Sequence, residues 1–151
     1  MTIEVNNETE MKAFGVKLGA LLSGGDILEL VGDVGAGKTT LAKGIASGLG
    51  VDEAVQSPSF TISRIYNARN GLRLAHYDFY RLPSAGIMAD ELHETVHDPQ
   101  AVTVIEWAEI VSGVLPTDRL TIHISSPGEH IRQLTLVAGG EKSKRMFKVV
   151  V

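Results

Sequence analysis

The segment that most constrains the fold is a glycine-rich loop between a short apolar run and a helical stretch. Residues 32–39 read GDVGAGKT and match the pattern G-x4-G-K-[ST]. The preceding run, DILELV at residues 26–31, is typical of a buried parallel strand, and residues 38–49 predict a helix that ends at Gly50. The order strand, loop, helix predicts a P-loop NTPase fold, a three-layer α/β sandwich around a central sheet.

Each residue type in this loop has a chemical reason to bind a triphosphate. Glycines let the backbone turn successive N–H groups toward phosphate oxygens, and the helix N-terminus adds partial positive charge. We expect Lys38 to contact the β- and γ-phosphates and Thr39 to supply a hydroxyl to Mg²⁺. The remaining loop positions expected at the nucleotide are Asp33, Gly35, Ala36, Gly37 and Thr40.

A nucleotide site of this kind also needs a carboxylate at the end of another strand of the sheet, on the metal side. Glu106 closes the apolar run AVTVIE and is the first candidate for a metal and catalytic role. Asp78, in the segment HYDFYR, is the second candidate. Trp107 is the only tryptophan and follows Glu106 directly, so we expect it to report nucleotide binding.

The rest of the chain predicts a single domain over residues 1–140 and a basic tail over 141–151. A short strand is expected at 2–5, followed by a helix capped by Asn7 or Thr9. An Asn-Gly turn joins strand candidates 60–66 and 72–79, and a second pair is expected at 120–125 and 133–138. The sheet is therefore predicted to be mixed but mostly parallel, and the tail over 141–148 to be mobile.

A second motif suggests a different kind of protein, a zinc enzyme. His93-Glu94-Thr95-Val96-His97 matches H-E-x-x-H, the helical signature of zinc proteases. That interpretation requires a sustained helix and a third ligand, for which Glu106 and Glu109 are the candidates. Because Pro99 follows so closely and biases the chain away from helix, we expect a polar surface turn here instead.

Composition and charge argue against several classes of protein and of binding partner. The chain has no cysteine, and no apolar run reaches the roughly 18 residues of a membrane span. With a polar N-terminus, these features predict a cytoplasmic protein without a membrane or DNA partner. Between residues 82 and 118 there are carboxylates but no Lys or Arg, so any RNA contact is expected to be indirect, through a partner. Neither the D-x-x-G nor the N-K-x-D segment of GTPases occurs.

Four blocks taken together resemble a known family. They are residues 32–40 (GDVGAGKTT), 57–61 (SPSFT), 76–82 (HYDFYRL) and 105–107 (IEW). Their order and spacing are similar to those in the small ATPase subunit of the bacterial machinery that makes threonylcarbamoyladenosine on tRNA. The resemblance spans nearly the whole chain.

This resemblance implies roles beyond those argued from residue chemistry. Ser57, Ser59 and Thr61 would form a switch-like loop near the γ-phosphate and Mg²⁺, with Ser59 standing where the family usually has Thr. Asp78 and Glu106 would lie near the metal and the attacking water. Positions Thr9 and Arg132 would contact the nucleoside.

The same resemblance implies an activity and partners. Family members hydrolyse ATP poorly alone and work with two partner proteins, one of which transfers threonylcarbamoyl to an adenosine of tRNA. ATP turnover is expected to reset that complex. Arg81 is a candidate for a transition-state arginine within the chain.

Two alternative functions are also compatible with the glycine-rich loop of residues 32–39. One is a small-molecule kinase, with the arginine-bearing hairpin at residues 64–73 as its lid. The other is a binding module that senses ATP without turnover.

Overall fold

The computed structural model describes residues 1–58, 62–80, 82–84 and 86–150, and for residue 150 the backbone alone. Its strands are β1 Thr2–Val5, β2 Ile27–Val31, β3 Ser63–Asn67, β4 Arg73–Asp78, β5 Ala101–Glu106, β6 Leu120–Ser125 and β7 Arg132–Ala138. Its α-helices are α1 Glu8–Leu21, α2 Lys38–Gly48, α3 Ile87–Val96 and α4 Glu141–Lys144. Short 3₁₀ segments occupy Arg69–Gly71, Ala108–Val111 and Arg145–Val150. None of these described helices is long and apolar enough to cross a membrane.

The strands form one sheet in the order β1-β7-β6-β2-β5-β4-β3. The four inner strands β6, β2, β5 and β4 run parallel to one another, whereas β3 at one edge and β7 and β1 at the other pair antiparallel. The prediction of a mixed α/β sheet is therefore confirmed, as are both predicted hairpin pairs, β3 with β4 and β6 with β7, and the parallel strands lie in the middle of the sheet. Residues 60 and 61 of the first strand candidate lie outside the described residues.

Helices cover both faces of the sheet. On one face, Leu28 and Leu30 of β2 share a buried cluster with residues of α1 and α2. On the other face, Ile27 shares a second buried cluster with Leu92 and Val96 of α3. This alternation follows from the two-residue repeat of a strand buried on both sides.

Helices α1 and α2 also come close enough for their backbones to touch at four glycines. A Cβ atom added at Gly19 would lie 2.2 Å from the Ile45 carbonyl oxygen, and one added at Gly48 would lie 2.2 Å from that of Val16. Gly15 and Gly44 meet the facing helix in the same way, at 2.7 Å and 2.4 Å from a carbonyl oxygen. Each helix thus carries a G-x-x-x-G pair at the crossing, which holds the two helices close together.

The N-cap of α1 is Asn7 rather than Thr9. Its Oδ1 accepts a hydrogen bond of 2.8 Å from the backbone N–H of Glu10, and so satisfies one of the unpaired donors of the first turn. Thr9 lies in that first turn and is exposed.

The C-terminal segment, expected from the sequence to be a mobile basic tail, is helical and packs on the core. Residues 141–150 are helical, and the side chains of Met146 and Val149 join the core beside α1. Arg145 donates to the buried carboxylate of Asp26 and, at 3.0 Å, to the carbonyl oxygen of Leu21. The prediction followed the basic composition of this segment. It overlooked Met146 and Val149, which are three positions apart and are buried on one helical face.

Candidate functional site

The glycine-rich loop of residues 32–39 runs from the C-terminal end of β2 into the first turn of α2. Gly35 has φ +84° and Gly37, the N-cap of α2, has φ +109°. Residues with a Cβ rarely adopt these values, so glycine is required at both positions. The turn leads directly into α2, whose first N–H groups have no partner within the helix.

Lys38 is the cation of this loop, and its side chain folds back over it. The residue is only 6% exposed. Its Nζ donates to the carbonyl oxygen of Gly32 and, at 3.0 Å, to that of Asp33, and lies 4.5 Å from the centre of the Trp107 ring. The ammonium group therefore lies inside the concave side of the loop, where a bound anion would meet it.

The two predicted carboxylates lie side by side at the ends of adjacent parallel strands. Asp78 of β4 is in register with Glu106 of β5, and both residues are buried. Asp78 accepts hydrogen bonds from the backbone N–H of Tyr80 at 2.9 Å and from the Ser57 hydroxyl at 3.4 Å. Glu106 instead pairs with His76, whose Nε2 lies 2.7 Å from Oε2.

The sequence analysis missed His76. The residue is 1% exposed and lies two positions before Asp78 on the same face of β4. The two-residue spacing in His76-x-Asp78 was the available signal, since alternate residues of a strand share a face. That spacing alone does not identify the partner acid, because Glu106 belongs to a different strand.

A cavity of about 350 Å³ brings most of the predicted residues together. The predicted residues in its wall are Gly35, Gly37, Lys38, Thr39, Thr40, Ser57, Asp78 and Glu106. Glu8, Val34, Tyr80 and Trp107 complete it, and of these only Trp107 had been singled out from the sequence. Lysine, hydroxyl and carboxylate groups from five separate segments thus converge on one space.

The cavity offers oxygen donors of the kind that can hold Mg²⁺ together with the phosphates of a substrate. Thr39 offers a hydroxyl, and Asp78 and Glu106 offer two carboxylates. Among the described residues, no group of three or more His, Asp or Glu side chains is close enough to hold a metal ion. Mg²⁺ is typically bound through one or two carboxylates together with the phosphates of a substrate, which is what this donor set allows.

A second cavity of about 440 Å³ adjoins the first. The two share Glu8, Gly35, Gly37 and Thr40, so the loop and the start of α2 form part of both walls. The second cavity is also lined by Thr9 and Arg132, the residues predicted to contact the nucleoside, and by Ala36 of the loop. His130 and Glu129 line it as well and had not been identified from the sequence.

Arg132 has a structural task in this wall. Its Nε donates to the carbonyl oxygen of Ala36 at 3.1 Å, which ties the start of β7 to the glycine-rich loop. One terminal nitrogen donates to the carbonyl oxygens of Glu129 at 3.2 Å and Ile131 at 2.9 Å. The contact of Arg132 with a nucleoside stays a prediction, and its observed partners are backbone carbonyls.

Three residues named from the sequence lie outside the described residues. Ser59 and Thr61 of the switch-like loop belong to this group, as does the arginine candidate Arg81. Of the switch-like residues, Ser57 is described, and it reaches the cavity beside Asp78.

The H-E-x-x-H segment forms the last turn of α3, not the surface turn that the sequence predicted. The helix ends at Val96, and His97 is its C-cap. The Nδ1 atom of His97 makes a hydrogen bond of 2.8 Å with the carbonyl oxygen of His93, and the two exposed rings lie 4.8 Å apart. The bias against helix before Pro99 acts only after His97, so it shortens the helix without preventing it.

Comparisons with known proteins agree with the four sequence blocks. Residues 5–134 match the family model described as "Threonylcarbamoyl adenosine biosynthesis protein TsaE". A protein of Bacillus subtilis (strain 168) named tRNA threonylcarbamoyladenosine biosynthesis protein TsaE is 42% identical over 141 residues, which cover 90% of this chain and 84% of that protein. The protein of the same name from Streptomyces coelicolor is 37% identical over 137 residues, covering 87% and 93%.

A solved structure is similar over nearly the whole chain. The crystal structure of Bacillus subtilis YdiB superimposes with a TM-score of 0.81 at 36% sequence identity, covering 98% of this chain and 91% of that one. The resemblance inferred from the sequence blocks is confirmed, and the chain belongs to the TsaE family of threonylcarbamoyl adenosine biosynthesis proteins.

Proposed function

We propose that this protein is a P-loop ATPase that binds Mg-ATP and hydrolyses it slowly, as the accessory ATPase of the complex that forms threonylcarbamoyladenosine on tRNA. One observation carries the proposal. A single cavity joins the N-terminus of α2, the ammonium group of Lys38, the Thr39 hydroxyl and the paired acids Asp78 and Glu106.

The first cavity has the chemistry to hold a triphosphate. The N–H groups at the start of α2 and the ammonium group of Lys38 supply donors and positive charge to phosphate oxygens. When bound to Thr39 and Glu106, Mg²⁺ would neutralise charge that develops on the phosphates during hydrolysis. The adjoining second cavity, which contains Thr9 and Arg132, is the space for the nucleoside.

The paired acids have the chemistry to direct a water molecule. During hydrolysis, the water oxygen forms a bond to the γ-phosphorus while the bond from that phosphorus to the β–γ bridging oxygen breaks. ADP leaves with the electron pair, and the proton of the water passes to a carboxylate of the Asp78–Glu106 pair. Glu106 is our first candidate for this acceptor and Asp78 the second.

The biological setting is proposed from the family. The curated relatives described above are named as tRNA threonylcarbamoyladenosine biosynthesis proteins. We therefore assign this chain to the same machinery, with the two other protein subunits as direct partners and tRNA as an indirect one. An acidic net charge of −4 fits a subunit that reaches RNA through other proteins.

A kinase lid on the hairpin would need arginines that can turn toward a phosphate. Two of the arginines expected there already bind other parts of the fold. Arg69 donates to the carbonyl oxygens of Gly48 and Leu22, at 2.8 Å and 2.7 Å. It thereby caps the C-terminal ends of α2 and α1. Arg73 pairs with Asp98.

The test is release of inorganic phosphate from Mg-ATP by the purified protein with no acceptor present. The proposal expects slow, magnesium-dependent release that rises when the two partner subunits and tRNA are added. Phosphate transfer only in the presence of a small-molecule acceptor would favour the kinase. Tight ATP binding without release, alone or with the partners, would favour a sensing module.

A further inference from the structure

His76 and Glu106 form a buried pair that the chemistry above does not explain. They are 1% and 3% exposed, and the imidazole Nε2 lies 2.7 Å from the carboxylate Oε2. We propose that His76 is a positioning residue, which fixes the Glu106 carboxylate so that its other oxygen, Oε1, is presented to the phosphate cavity, the first cavity lined by Lys38 and Thr39. The proposal rests on the ATPase function described above and names a further residue of that site.

The strand register explains how the pair forms. In the parallel ladder of β4 and β5, Asp78 is opposite Glu106. His76 lies two residues before Asp78 and therefore on the same face of the sheet. A glutamate side chain is long enough to reach a diagonal neighbour on the adjacent strand, whereas the shorter Asp78 is held by Tyr80 and Ser57. The two acids are therefore fixed by different donors, although they lie side by side.

The hydrogen-bonding capacity of the pair fixes which nitrogen carries the proton. A carboxylate only accepts hydrogen bonds, so the donor at 2.7 Å is the Nε2–H of His76. Its Nδ1 is buried and makes no hydrogen bond within the described chain. A proton on Nδ1 would be an unsatisfied buried donor, so the ring proton belongs on Nε2.

The pair leaves one carboxylate oxygen for a ligand. Oε2 is occupied by His76, whereas Oε1 makes no hydrogen bond to the described residues and Glu106 lines the phosphate cavity. His76 itself does not line that cavity. It can therefore act on bound nucleotide only through Glu106. Its hydrogen bond keeps the carboxylate from rotating away from the cavity.

Three substitutions at position 76 separate this role from simple packing. In His76→Gln the amide nitrogen stands as many bonds from Cα as Nε2 does, so it still donates to Glu106. In His76→Asn the amide nitrogen takes the place of Nδ1 and cannot reach. His76→Leu fills the space without a donor. ATP affinity, single-turnover hydrolysis of Mg-ATP and thermal unfolding are measured for each.

The expected result is a split between binding and hydrolysis. We expect ATP affinity within about threefold of wild type in all three variants, and hydrolysis about 10–100-fold slower in the Asn and Leu variants, the usual effect of losing a group that orients a site ligand. The Gln variant should keep most of the wild-type rate. In a Glu106→Gln background, His76→Leu should slow hydrolysis no further.

Two results would overturn the proposal. One is hydrolysis at the wild-type rate in both the Asn and Leu variants. The other is equal loss in all three variants, Gln included, which would indicate a packing role. Because the Asn and Gln variants are both polar, their comparison stands even if the Leu variant does not fold. Wild-type protein that neither binds nor hydrolyses ATP would instead overturn the ATPase function itself.

Discussion

The ammonium nitrogen of Lys38 lies 4.5 Å from the centre of the Trp107 ring. Trp107 holds this place with a left-handed backbone, φ +58°, directly after Glu106, and its ring packs on that of Tyr80 with centroids 4.7 Å apart. An ammonium group over an indole face is attracted by about 0.5–2 kcal/mol, less than the charge of a triphosphate offers at close range. A nucleotide in the cavity should therefore draw Lys38 away from the ring.

Trp107 fluorescence should report this exchange of partners. Because Trp107 is the only tryptophan in the chain, the emission comes from one place. We expect a saturable change in its intensity when Mg-ATP is added, and a much smaller one in Lys38→Met, which has lost the charge. Unchanged emission in wild-type protein that calorimetry shows to be saturated with Mg-ATP would contradict the arrangement.

Glu106→Gln should separate ATP binding from ATP hydrolysis. Loss of the proton acceptor is expected to slow single-turnover hydrolysis by about 100-fold or more, while ATP affinity changes by less than about tenfold. Glu109→Gln, at an exposed position three residues later, is the matched control and should hydrolyse at the wild-type rate. Full turnover in Glu106→Gln would move the catalytic role to Asp78, for which Asp78→Asn is the next variant.

The sequence predicted those parts of the site that depend on neighbours along the chain. The loop of residues 32–39, the helix after it and the strand ending at Glu106 each carry their own local pattern, and all were found where expected. The convergence of Lys38, Asp78 and Glu106 on one cavity also followed, because the ends of parallel strands meet at one edge of a sheet.

What the sequence analysis missed depends on contacts between distant segments. The pairing of His76 with Glu106 needs the register of two strands, and the burial of Met146 and Val149 needs the core that α1 shares with them. The backbone contact of α1 with α2 has a local signal, a G-x-x-x-G spacing on each helix, but only the fold shows that the two glycine pairs face each other. At residues 93–97 the sequence analysis relied on the bias of Pro99 against helix and predicted a turn. The structure has a helix there, with Leu92 and Val96 of α3 packed in the core.

Gly19→Ala should destabilise the protein through the contact of α1 with α2. The added methyl group would lie 2.2 Å from the Ile45 carbonyl oxygen, so the helices must move apart. We expect a loss of about 1–3 kcal/mol in the free energy of unfolding, measured with urea. Gly113→Ala, where no atom lies within 4 Å of the new group, is the control. Equal stability of the two variants would show that the helices do not pack this closely.

The Tyr77 phenol should ionise late in the folded protein. Burial raises the pKa of Tyr77 to about 12 from an ordinary 10.0, and its hydroxyl lies 2.9 Å from the Thr95 hydroxyl. Because the folded state keeps a proton that the unfolded chain releases, the resulting stabilisation is complete below pH 10 and is lost as the pH rises toward 12. The phenolate absorbance of wild type minus that of Tyr77→Phe should thus develop only above pH 10. Its appearance at or below pH 10 would contradict this burial.

Calorimetric titration of Mg-ATP into wild type, Lys38→Ala and Lys43→Ala tests the central claim most directly. Both lysines lie on α2, but Lys38 lines the phosphate cavity and Lys43 is exposed outside it. Loss of charge-assisted bonds to two phosphates, about 3 kcal/mol together, should weaken ATP binding about 100-fold in Lys38→Ala. Lys43→Ala should bind as wild type does. Equal affinity in all three proteins would place the nucleotide elsewhere and contradict the account.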